Sequence, residues 1–479
     1  MRNQKGMGLA EGAISTAQEA GATYAEARVQ STWERMFVLK NGEPQPSFFS
    51  EGYGIGIRVI SGGALGFAAT NDMRRSAVNQ IARKAVKLAK ASSPVLRRPV
   101  VLDESKATKK KWSPPETKKV ENADSAWLRS VLLEIEGRIA DGRAGVKLPG
   151  RLLYLGAELE ERYYVNSDGA KVEGRLPRVG FFGSLTAVEG GATAQRFIQQ
   201  GETGGLEVVK RVGLVDKVEG EAKVMGKVLR TAVKPPTDTL DVVLSPELSG
   251  IAAHESVGHP QEADRVLGRE GAQAGESYLK ADSLGRKIGS DEANISDDPT
   301  LLHSNGFVLV DDEGVLAKKR LLIKDGVINE FLQNRATAQE FGLKSNGASR
   351  SVAFDREPII RMSNTFVEPG DYSTEELLKE VKHGVLFKTF TEWNIDDKRL
   401  NQRYVALEAY LIEQGEVKGL VKSPVLEITT PKLWGSVKAR SRHMEFEAAV
   451  CGKGDPQQGA PVWTGGPETL LAGIKLGSR

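Results

Sequence analysis

The chain has 479 residues, of which 40% are hydrophobic and 27% are charged, and its formal net charge is +3. This balance is typical of a soluble globular protein, and at roughly 100–200 residues per domain the length predicts two to four domains. A charge so near neutrality does not indicate a general nucleic-acid-binding surface, and the single cysteine excludes an internal disulfide.

Residues 1–98 predict an N-terminal α+β domain with mixed or antiparallel sheets. After an amino-terminal helix, a β-strand ends at the dipeptide Asn41-Gly42, which is a hairpin signal. Asn71 or Asp72 then provides a cap for a helix that carries an apolar stripe. The stripe consists of Met73, Ala77, Val78, Ile81, Ala85 and Leu88.

Residues 99–121 interrupt this pattern because they are polar, contain prolines and are rich in lysine. We interpret them as a basic linker or exposed loop. The alternative is that residues 106–119 form a nucleic-acid-binding arm, which would bind DNA in a salt-dependent way.

Residues 122–234 predict a second α+β segment, in which strands alternate with glycine turns and are flanked by two amphipathic helices. Residues 235–479 follow a proline-containing boundary and are dominated by short strands and turns. The fold class predicted is therefore α+β, with an α/β N-terminal part and a β-rich C-terminal domain.

The most informative stretch of the C-terminal domain is LDVVLSPELSGIAAHESVGHPQEADRV, residues 240–266. Ser245 is a good N-cap and Pro246 suits the first helical position. Because Pro260 disfavours the α conformation of the residue before it, we expect the helix to end at His259.

This short helix carries an HExxxH motif, with His254 and His259 five positions apart. On a regular α-helix the two imidazoles would lie about 140° apart, too far to chelate one ion. A π-type turn would bring them close to alignment, and such turns are common at functional sites. We therefore predict a wide or unravelled turn between His254 and His259, which Gly258 would make easier.

Two imidazoles do not complete a zinc site, because catalytic zinc usually has three protein ligands and a water. The candidate third ligand is Cys451, since a thiolate suits Zn²⁺ well. Glu255 adjoins the first imidazole and could take a proton from water and pass it to the leaving amine. Two alternatives are His443 as the third ligand and a purely structural role for the cysteine as a buried filler.

The residues of this domain resemble the TldD/PmbA family, on its metal-bearing TldD-type branch. HESVGHPQEADRV is similar to the family's HExxxH helix, and GASRSVAFDREPIIRMSNTFVEPGD and AVCGKGDPQQGAPVWTGGP are similar to successive segments of its catalytic domain. The resemblance implies a zinc metallopeptidase that degrades short or unfolded peptides. It also implies that His254, His259 and Cys451 bind Zn²⁺ and that Glu255 is the catalytic base.

The resemblance further implies a dimer, either of two such chains or with a metal-free PmbA/TldE-type subunit. Two segments depart from the family pattern, namely Pro260-Gln261 and residues 390–403, where the usual glycine-rich character is missing. These departures leave the substrate preference open. The alternative function is a non-catalytic subunit or regulator that assembles with a partner peptidase.

Three polar residues in the run RSVAFDREPIIRMSNT, namely Arg350, Arg361 and Asn364, form a substrate-binding hypothesis. Their side chains could bind peptide carbonyls or a carboxylate, and internal salt bridges are the alternative. No secretory signal and no run of about 18 apolar residues is present, so we expect a cytoplasmic protein with no membrane partner.

Overall fold

In the computed structural model, which describes residues 2–271 and 275–478, one eight-stranded sheet organises the first half of the chain. All its pairings are antiparallel except that of one short edge strand. Its strands are Tyr24–Lys40, Glu43–Pro44, Phe48–Ser61, Ala64–Thr70, Lys109–Trp112, Lys147–Asn166, Lys171–Glu189 and Ala192–Thr203.

Two groups of helices cover this sheet and form two separate apolar cores. Arg2–Glu19 and Arg75–Ser92 pack at one end, whereas Ser125–Ile139, Val208–Arg211 and Leu214–Thr231 pack at the other. Pairing between Tyr24–Lys40 and Lys147–Asn166 joins the two predicted N-terminal units in a single sheet.

The predicted cap and stripe of the second helix need correction. The helix begins after Arg74, and the Asp72 carboxylate binds the backbone and guanidinium of Arg74 instead of capping the helix. Leu88 is 43% exposed. The buried face contains several alanines, which allow close packing against the strand Ala64–Thr70; its members are Val78, Ala82, Ala85, Val86 and Ala89.

The lysine-rich segment is not a loop throughout. Lys109–Trp112 forms a parallel edge strand against the strand that begins at Lys171. The three lysines of this strand are all exposed, so it lacks the usual alternation of polar and apolar residues. Trp112 is buried, and its ring lies 5.9 Å from that of Phe307. This tryptophan anchors a segment whose composition predicted a solvated loop.

The C-terminal half contains four further sheets, which confirms its predicted β-rich character. One six-stranded sheet consists of Ile295–Asp297, Arg320–Lys324, Val327–Ile328, Asn364–Val367, Glu445–Lys453 and Gln458–Gly466. The other consists of Thr239–Leu244, His383–Phe387, Ala409–Glu413, Glu416–Leu420, Val437–Arg440 and Thr469–Lys475. The smaller sheets are Phe390–Ile395, Asn401–Ala406, Pro424–Thr429 and Gly477–Ser478, and the pair Ser349–Arg350 and Ile359–Ile360.

Short helices connect these sheets. The helix Pro246–Ala253 packs closely on the strand Gln458–Gly466, where a Cβ at Gly250 would lie 2.3 Å from the Gly465 nitrogen. The other α-helices here are Ala263–Val266, Arg335–Glu340, Thr374–Lys379 and Thr430–Gly435. Within the described residues, no helix has both the length and the apolar character needed to cross a membrane.

The two halves meet along the strand Ala192–Thr203, an edge of the first sheet. Its Gly201 carbonyl accepts a hydrogen bond from Trp463 Nε1 at 2.8 Å, and Gln195 accepts one from Thr391 at 3.1 Å. The strand therefore lies beside Glu445–Lys453, an edge of the C-terminal domain. A cleft opens between these two edges.

Candidate metal centre and cleft

The helix that carries the motif begins as its sequence predicts. Ser245 Oγ accepts a hydrogen bond from the Leu248 nitrogen at 3.4 Å and donates one to the Lys388 carbonyl at 2.7 Å. Pro246 takes the first helical position, where its missing N–H leaves no donor unsatisfied. The predicted start of this helix is therefore confirmed, and its cap also ties it to the neighbouring strand.

The predicted wide turn between the two histidines is also confirmed. Residues 254–258 form a π-helical turn, closed by a hydrogen bond from the His259 nitrogen to the His254 carbonyl. A Cβ at Gly258 would lie 1.9 Å from Met362 Sδ, so a larger residue there would displace the Met362 side chain. The buried Trp434 donates to Ser256 at 3.0 Å and anchors the turn from behind. As a result the imidazole centroids are only 4.9 Å apart.

The lone thiol lies beside these rings although it is 192 positions away from His259 in sequence. Cys451 Sγ is 3.4 Å from His259 Nε2, and one donor atom from each of Cys451, His254 and His259 fits within 4.8 Å. A tetrahedral zinc ion would separate a sulfur and a nitrogen ligand by about 3.5 Å. The spacing of this trio therefore suits a shared ion.

Charge states also favour metal ligation by this trio. Burial lowers the pKa of His254, although neighbouring Glu255 opposes the change. Burial also lowers the pKa of His259, where Cys451 opposes it. Burial by itself raises the pKa of Cys451, but His259 and Arg361 outweigh it and leave the pKa below its ordinary value. Neutral imidazoles and a thiolate are the forms that bind metal.

One imidazole is supported from behind by a buried carboxylate. Glu262 Oε2 lies 3.0 Å from His259 Nδ1 and accepts a hydrogen bond from Arg265 at 2.7 Å. Burial alone raises the pKa of Glu262, but Lys453, His259 and Arg265 together hold it well below its usual range. An ionised Glu262 fixes the His259 ring so that Nε2 points to Cys451.

The other imidazole has unused hydrogen-bonding capacity. Among the described residues, the buried Nδ1 of His254 has no hydrogen-bond partner. Buried polar atoms in native proteins are nearly always bonded, so such an atom indicates an external partner such as an ion or water. These three side chains therefore have the donor atoms and the spacing that suit a metal site.

The predicted base lies next to these donors and faces the cleft. Glu255 is 5% exposed, and its Oε2 accepts a hydrogen bond from Arg399 Nη1 at 2.5 Å. Arg399 extends from the turn between the strands Phe390–Ile395 and Asn401–Ala406. The Glu255 carboxylate is therefore held by an arginine that extends from a β-sheet and not from its own helix.

The cleft has a volume of about 440 Å³ and brings these groups together. His254, Glu255, His259 and Cys451 all line it, as does Arg399. Its walls are also aromatic and charged, and include Arg196, Phe197, Glu247, Phe390, Trp393 and Glu447. A cleft that combines apolar walls with converging polar groups is typical of a binding site for a small ligand or peptide.

The three predicted substrate-binding residues do not line this cleft. Arg350 donates to the Met362 and Pro461 carbonyls at 2.7 and 3.0 Å. Arg361 donates to the carbonyls of Gln458 and Cys451. Their positions favour the internal alternative, with backbone carbonyls in place of carboxylates as partners, because a buried guanidinium needs several acceptors.

Asn364 is likewise fully buried, and it donates to the Asp298 carbonyl at 2.6 Å and to Ser304 Oγ at 2.8 Å. The alternative third ligand, His443, is exposed and lies 3.0 Å from Glu445. It is not close to the two motif histidines. Neither residue therefore contributes to the centre.

Two residues of the centre were missed from the sequence. Glu262 follows His259 by three positions, a spacing over which two side chains can meet across the single turn His259–Gln261, and this could have indicated the pair. Arg399 lies within residues 390–403, the segment that departs from the family pattern. Only that departure marked the segment, and it did not single out the arginine.

Comparison with known proteins identifies three family domains in order. Residues 25–89 match the PmbA/TldA metallopeptidase domain 1, residues 109–233 match its central domain, and residues 237–478 match its C-terminal domain. Together these matches cover nearly the whole chain and include every residue of the centre.

Similar proteins include a metalloprotease of Methanocaldococcus jannaschii, which is 29% identical over 92% of this chain and 94% of the relative. A metalloprotease TldD homolog of Haemophilus influenzae is 27% identical over 95% of this chain and 92% of the relative. A zinc metalloprotease TldD homolog of Saccharolobus solfataricus is 28% identical over 51% of this chain and 52% of the relative.

The fold is shared with solved structures. TldE from Thermococcus kodakarensis matches with a TM-score of 0.74 and 20% identity, over 98% of this chain and 100% of that chain. A Thermotoga maritima protein matches with a TM-score of 0.75 and 17% identity, over 98% and 99%. The α+β fold class is thereby confirmed. With its three domains matched in order, the chain belongs to the PmbA/TldD family of metallopeptidases.

Proposed function

We propose that this protein is a zinc-dependent peptidase that hydrolyses peptide bonds in short or unfolded peptides. The observation that carries the proposal is the meeting of two imidazoles and a thiol within 4.8 Å, beside the carboxylate of Glu255 in a cleft. Two nitrogens and a sulfur form a donor set that favours zinc, whereas magnesium and calcium prefer oxygen ligands. His254, His259 and Cys451 would hold the ion.

The chain's own residues would provide the proton transfers. When bound, zinc supplies Lewis acidity, which favours ionisation of water and polarises a carbonyl. Glu255 would accept a proton from the attacking water and deliver it to the leaving nitrogen. Glu262 would keep the His259 ring oriented throughout.

The dimensions of the cleft support the substrate class. A volume of about 440 Å³ accommodates a few amino-acid residues and not a folded domain. Residues of two edge strands, Ala192–Thr203 and Glu445–Lys453, line this cleft. An extended, unfolded chain is the form of protein substrate that fits this space.

The same proposal includes a dimer in the cytoplasm. The partner is either a second copy or a metal-free PmbA/TldE-type subunit, with which this chain would share its fold. The complete trio of donors disfavours the alternative of a non-catalytic subunit, since such a subunit needs no ligands.

Metal removal tests the proposed function directly. Protein purified without chelator is expected to contain about one zinc per chain by elemental analysis. Dialysis against a chelator should abolish cleavage of an unstructured peptide, and zinc should restore it. Magnesium, which prefers oxygen ligands, serves as the control ion and should not restore cleavage. Full activity in protein shown to be metal-free would refute a metal-dependent mechanism.

Loss of the supporting carboxylate should weaken zinc binding without removing a ligand. The substitution Glu262→Gln is expected to lower zinc affinity by about 10–100-fold, because an uncharged amide orients the His259 ring less strongly. Competition with a chromophoric chelator measures this affinity. Glu340→Gln is the control, since Glu340 pairs with Arg269 near the surface. Unchanged affinity in Glu262→Gln would show that the carboxylate has no influence on the centre.

A further inference from the structure

The arginine beside the proposed base is held by a tightly bonded turn. The Asp396 carboxylate accepts hydrogen bonds from the Leu400 nitrogen at 2.7 Å and the Asn401 side chain at 2.6 Å. Thr430 Oγ1 donates to the Arg399 carbonyl at 2.8 Å, and Arg399 itself has a positive φ of 64°. A non-glycine residue in this conformation is uncommon and requires such support.

This turn places a guanidinium in the cleft at the carboxylate of Glu255. The Arg399 Nη1 to Glu255 Oε2 distance is 2.5 Å, and the two side chains are only 12% and 7% exposed. One oxygen of the base is therefore occupied by a strong charge-assisted hydrogen bond. A carboxylate oxygen can accept more than one hydrogen bond, so the guanidinium and a water molecule can share Glu255.

We propose that Arg399 binds the terminal carboxylate of the peptide substrate beside Glu255. This inference rests on the proposed peptidase function and refines its substrate class. The preferred substrates are then peptides in which the cleaved bond lies close to a free C-terminus. Arg399 is the residue that selects them.

Electrostatic attraction is the main physical reason for this recognition. A guanidinium in a poorly hydrated cleft is stabilised by carboxylate ligands, and its five N–H donors allow it to bind a second carboxylate beside Glu255. Guanidinium groups also match carboxylates in a planar, two-pronged geometry. Among the groups of a peptide, the terminal carboxylate is the anion that every unblocked substrate carries.

The other arginine of the cleft wall is engaged elsewhere. Arg196 makes hydrogen bonds to both oxygens of Glu247 at 2.7 Å and to both oxygens of Glu221 at 2.8 and 3.0 Å. These pairs join the first sheet to the helices that carry the two glutamates. Arg399, which adjoins the proposed base, is therefore the arginine of the cleft that is placed to contact substrate near the centre.

The surroundings of Arg399 also suit the side chain of a terminal residue. Phe390 and Trp393 lie on the strand before the turn, and Phe197 lines the same cleft from the first sheet. Trp393 is 37% and Phe197 is 42% exposed, so both present apolar surface to a ligand. A short peptide that ends in phenylalanine is consequently the probe of choice.

The first experiment compares two forms of one peptide, amino-blocked and ending in phenylalanine, as the free acid and as the amide. The zinc-loaded wild type is expected to cleave the acid with a kcat/KM about tenfold or more above that of the amide. Arg399→Ala should lose this preference and Arg399→Lys should retain part of it. Arg403→Ala is the matched control, because Arg403 pairs with Glu392 and Glu427 outside the cleft.

The second experiment measures binding without turnover. In zinc-loaded Glu255→Gln protein, calorimetry should show about tenfold or tighter binding of the acid than of the amide, and the double variant with Arg399→Ala should bind both alike. Equal binding of acid and amide in the single variant overturns the inference. The inference is also overturned if the wild type cleaves acid and amide equally and Arg399→Ala loses activity on both to the same extent. Arg399 would then be a positioning residue only.

The two proposals fail in different ways. Protein that binds zinc but cleaves neither peptide contradicts the proposed function, and the binding experiment still decides whether Arg399 recognises a carboxylate. Protein that cleaves acid and amide equally supports the peptidase and contradicts the role given to Arg399.

Discussion

Replacing Glu255 by glutamine is expected to lower kcat for peptide cleavage by about 10²–10⁴-fold, the range that general acid–base catalysis contributes. The glutamine side chain has almost the same shape and its oxygen can still accept the hydrogen bond from Arg399. It cannot accept a proton from water at neutral pH. The zinc content should stay unchanged, since Glu255 is not one of the three converging donors.

Two measurements on the same preparations separate a catalytic effect from a structural one. Elemental analysis reports the zinc content, and thermal unfolding reports stability. Glu445→Gln is the matched control, because Glu445 lies on the strand of Cys451 but is exposed and pairs with His443. That control should keep wild-type activity. Wild-type rates in Glu255→Gln would mean that another group removes the proton.

The π-helical turn shows why part of the centre was predictable from sequence. The positions of His254 and His259 on a helix depend on local geometry, so their spacing alone predicts that a regular helix cannot align them. Pro260 and Gly258 provide local reasons for the helix to change there. The structure adds a packing observation, since the Met362 side chain fills the space that a Cβ at Gly258 would occupy.

The position of Cys451 could not be predicted in the same way. Its approach to His259 depends on the pairing of its strand with Gln458–Gly466, on which the helix Pro246–Ala253 packs. The sequence indicated only that a third ligand was needed and that one thiol existed. The ligand count and the family resemblance predicted this contact, and the tertiary fold produces it.

Arg399 and the lysine-rich segment show where sequence patterns are insufficient. The guanidinium reaches Glu255 only because the four-stranded sheet places the turn Asp396–Asn401 over the cleft, a long-range arrangement with no local signal. Similarly, Lys109–Trp112 is polar in sequence and becomes a strand because Trp112 inserts beside Phe307. Both outcomes depend on partners that lie far away in the chain.

The hypothesis about Arg350, Arg361 and Asn364 stays a prediction, and the structure buries these side chains away from the cleft for a related reason. Polar residues in a family segment suggest ligand contacts, but the same side chains can hold irregular backbone together. Here Arg361 donates to the carbonyl of Cys451 and of Gln458, so it joins both strands of the hairpin that presents the thiol. Its contribution to the centre is therefore indirect.

The substitution Cys451→Ser is expected to cause the largest loss of zinc. A serine hydroxyl is nearly the same size but remains protonated and is a hard, weak ligand, so the trio loses its anionic donor. The loss in zinc affinity should exceed about 10–100-fold, which is the loss expected when a supporting carboxylate is removed. Protein purified without chelator should then contain far less than one zinc per chain.

The fold of this variant should survive, because the thiol lies on an edge strand and the replacement leaves the volume nearly unchanged. Bound zinc is expected to raise the unfolding temperature of the wild type by stabilising the folded state, and this rise should disappear in Cys451→Ser. His443→Gln, the control for the alternative ligand, should keep both the zinc and the thermal shift. Direct ligation also predicts a thiolate-to-metal absorption band in cobalt-loaded wild type that is missing in Cys451→Ser. A cysteine variant with full zinc content and an unchanged thermal shift would remove the sulfur from the centre, and two imidazoles would then need a different third donor.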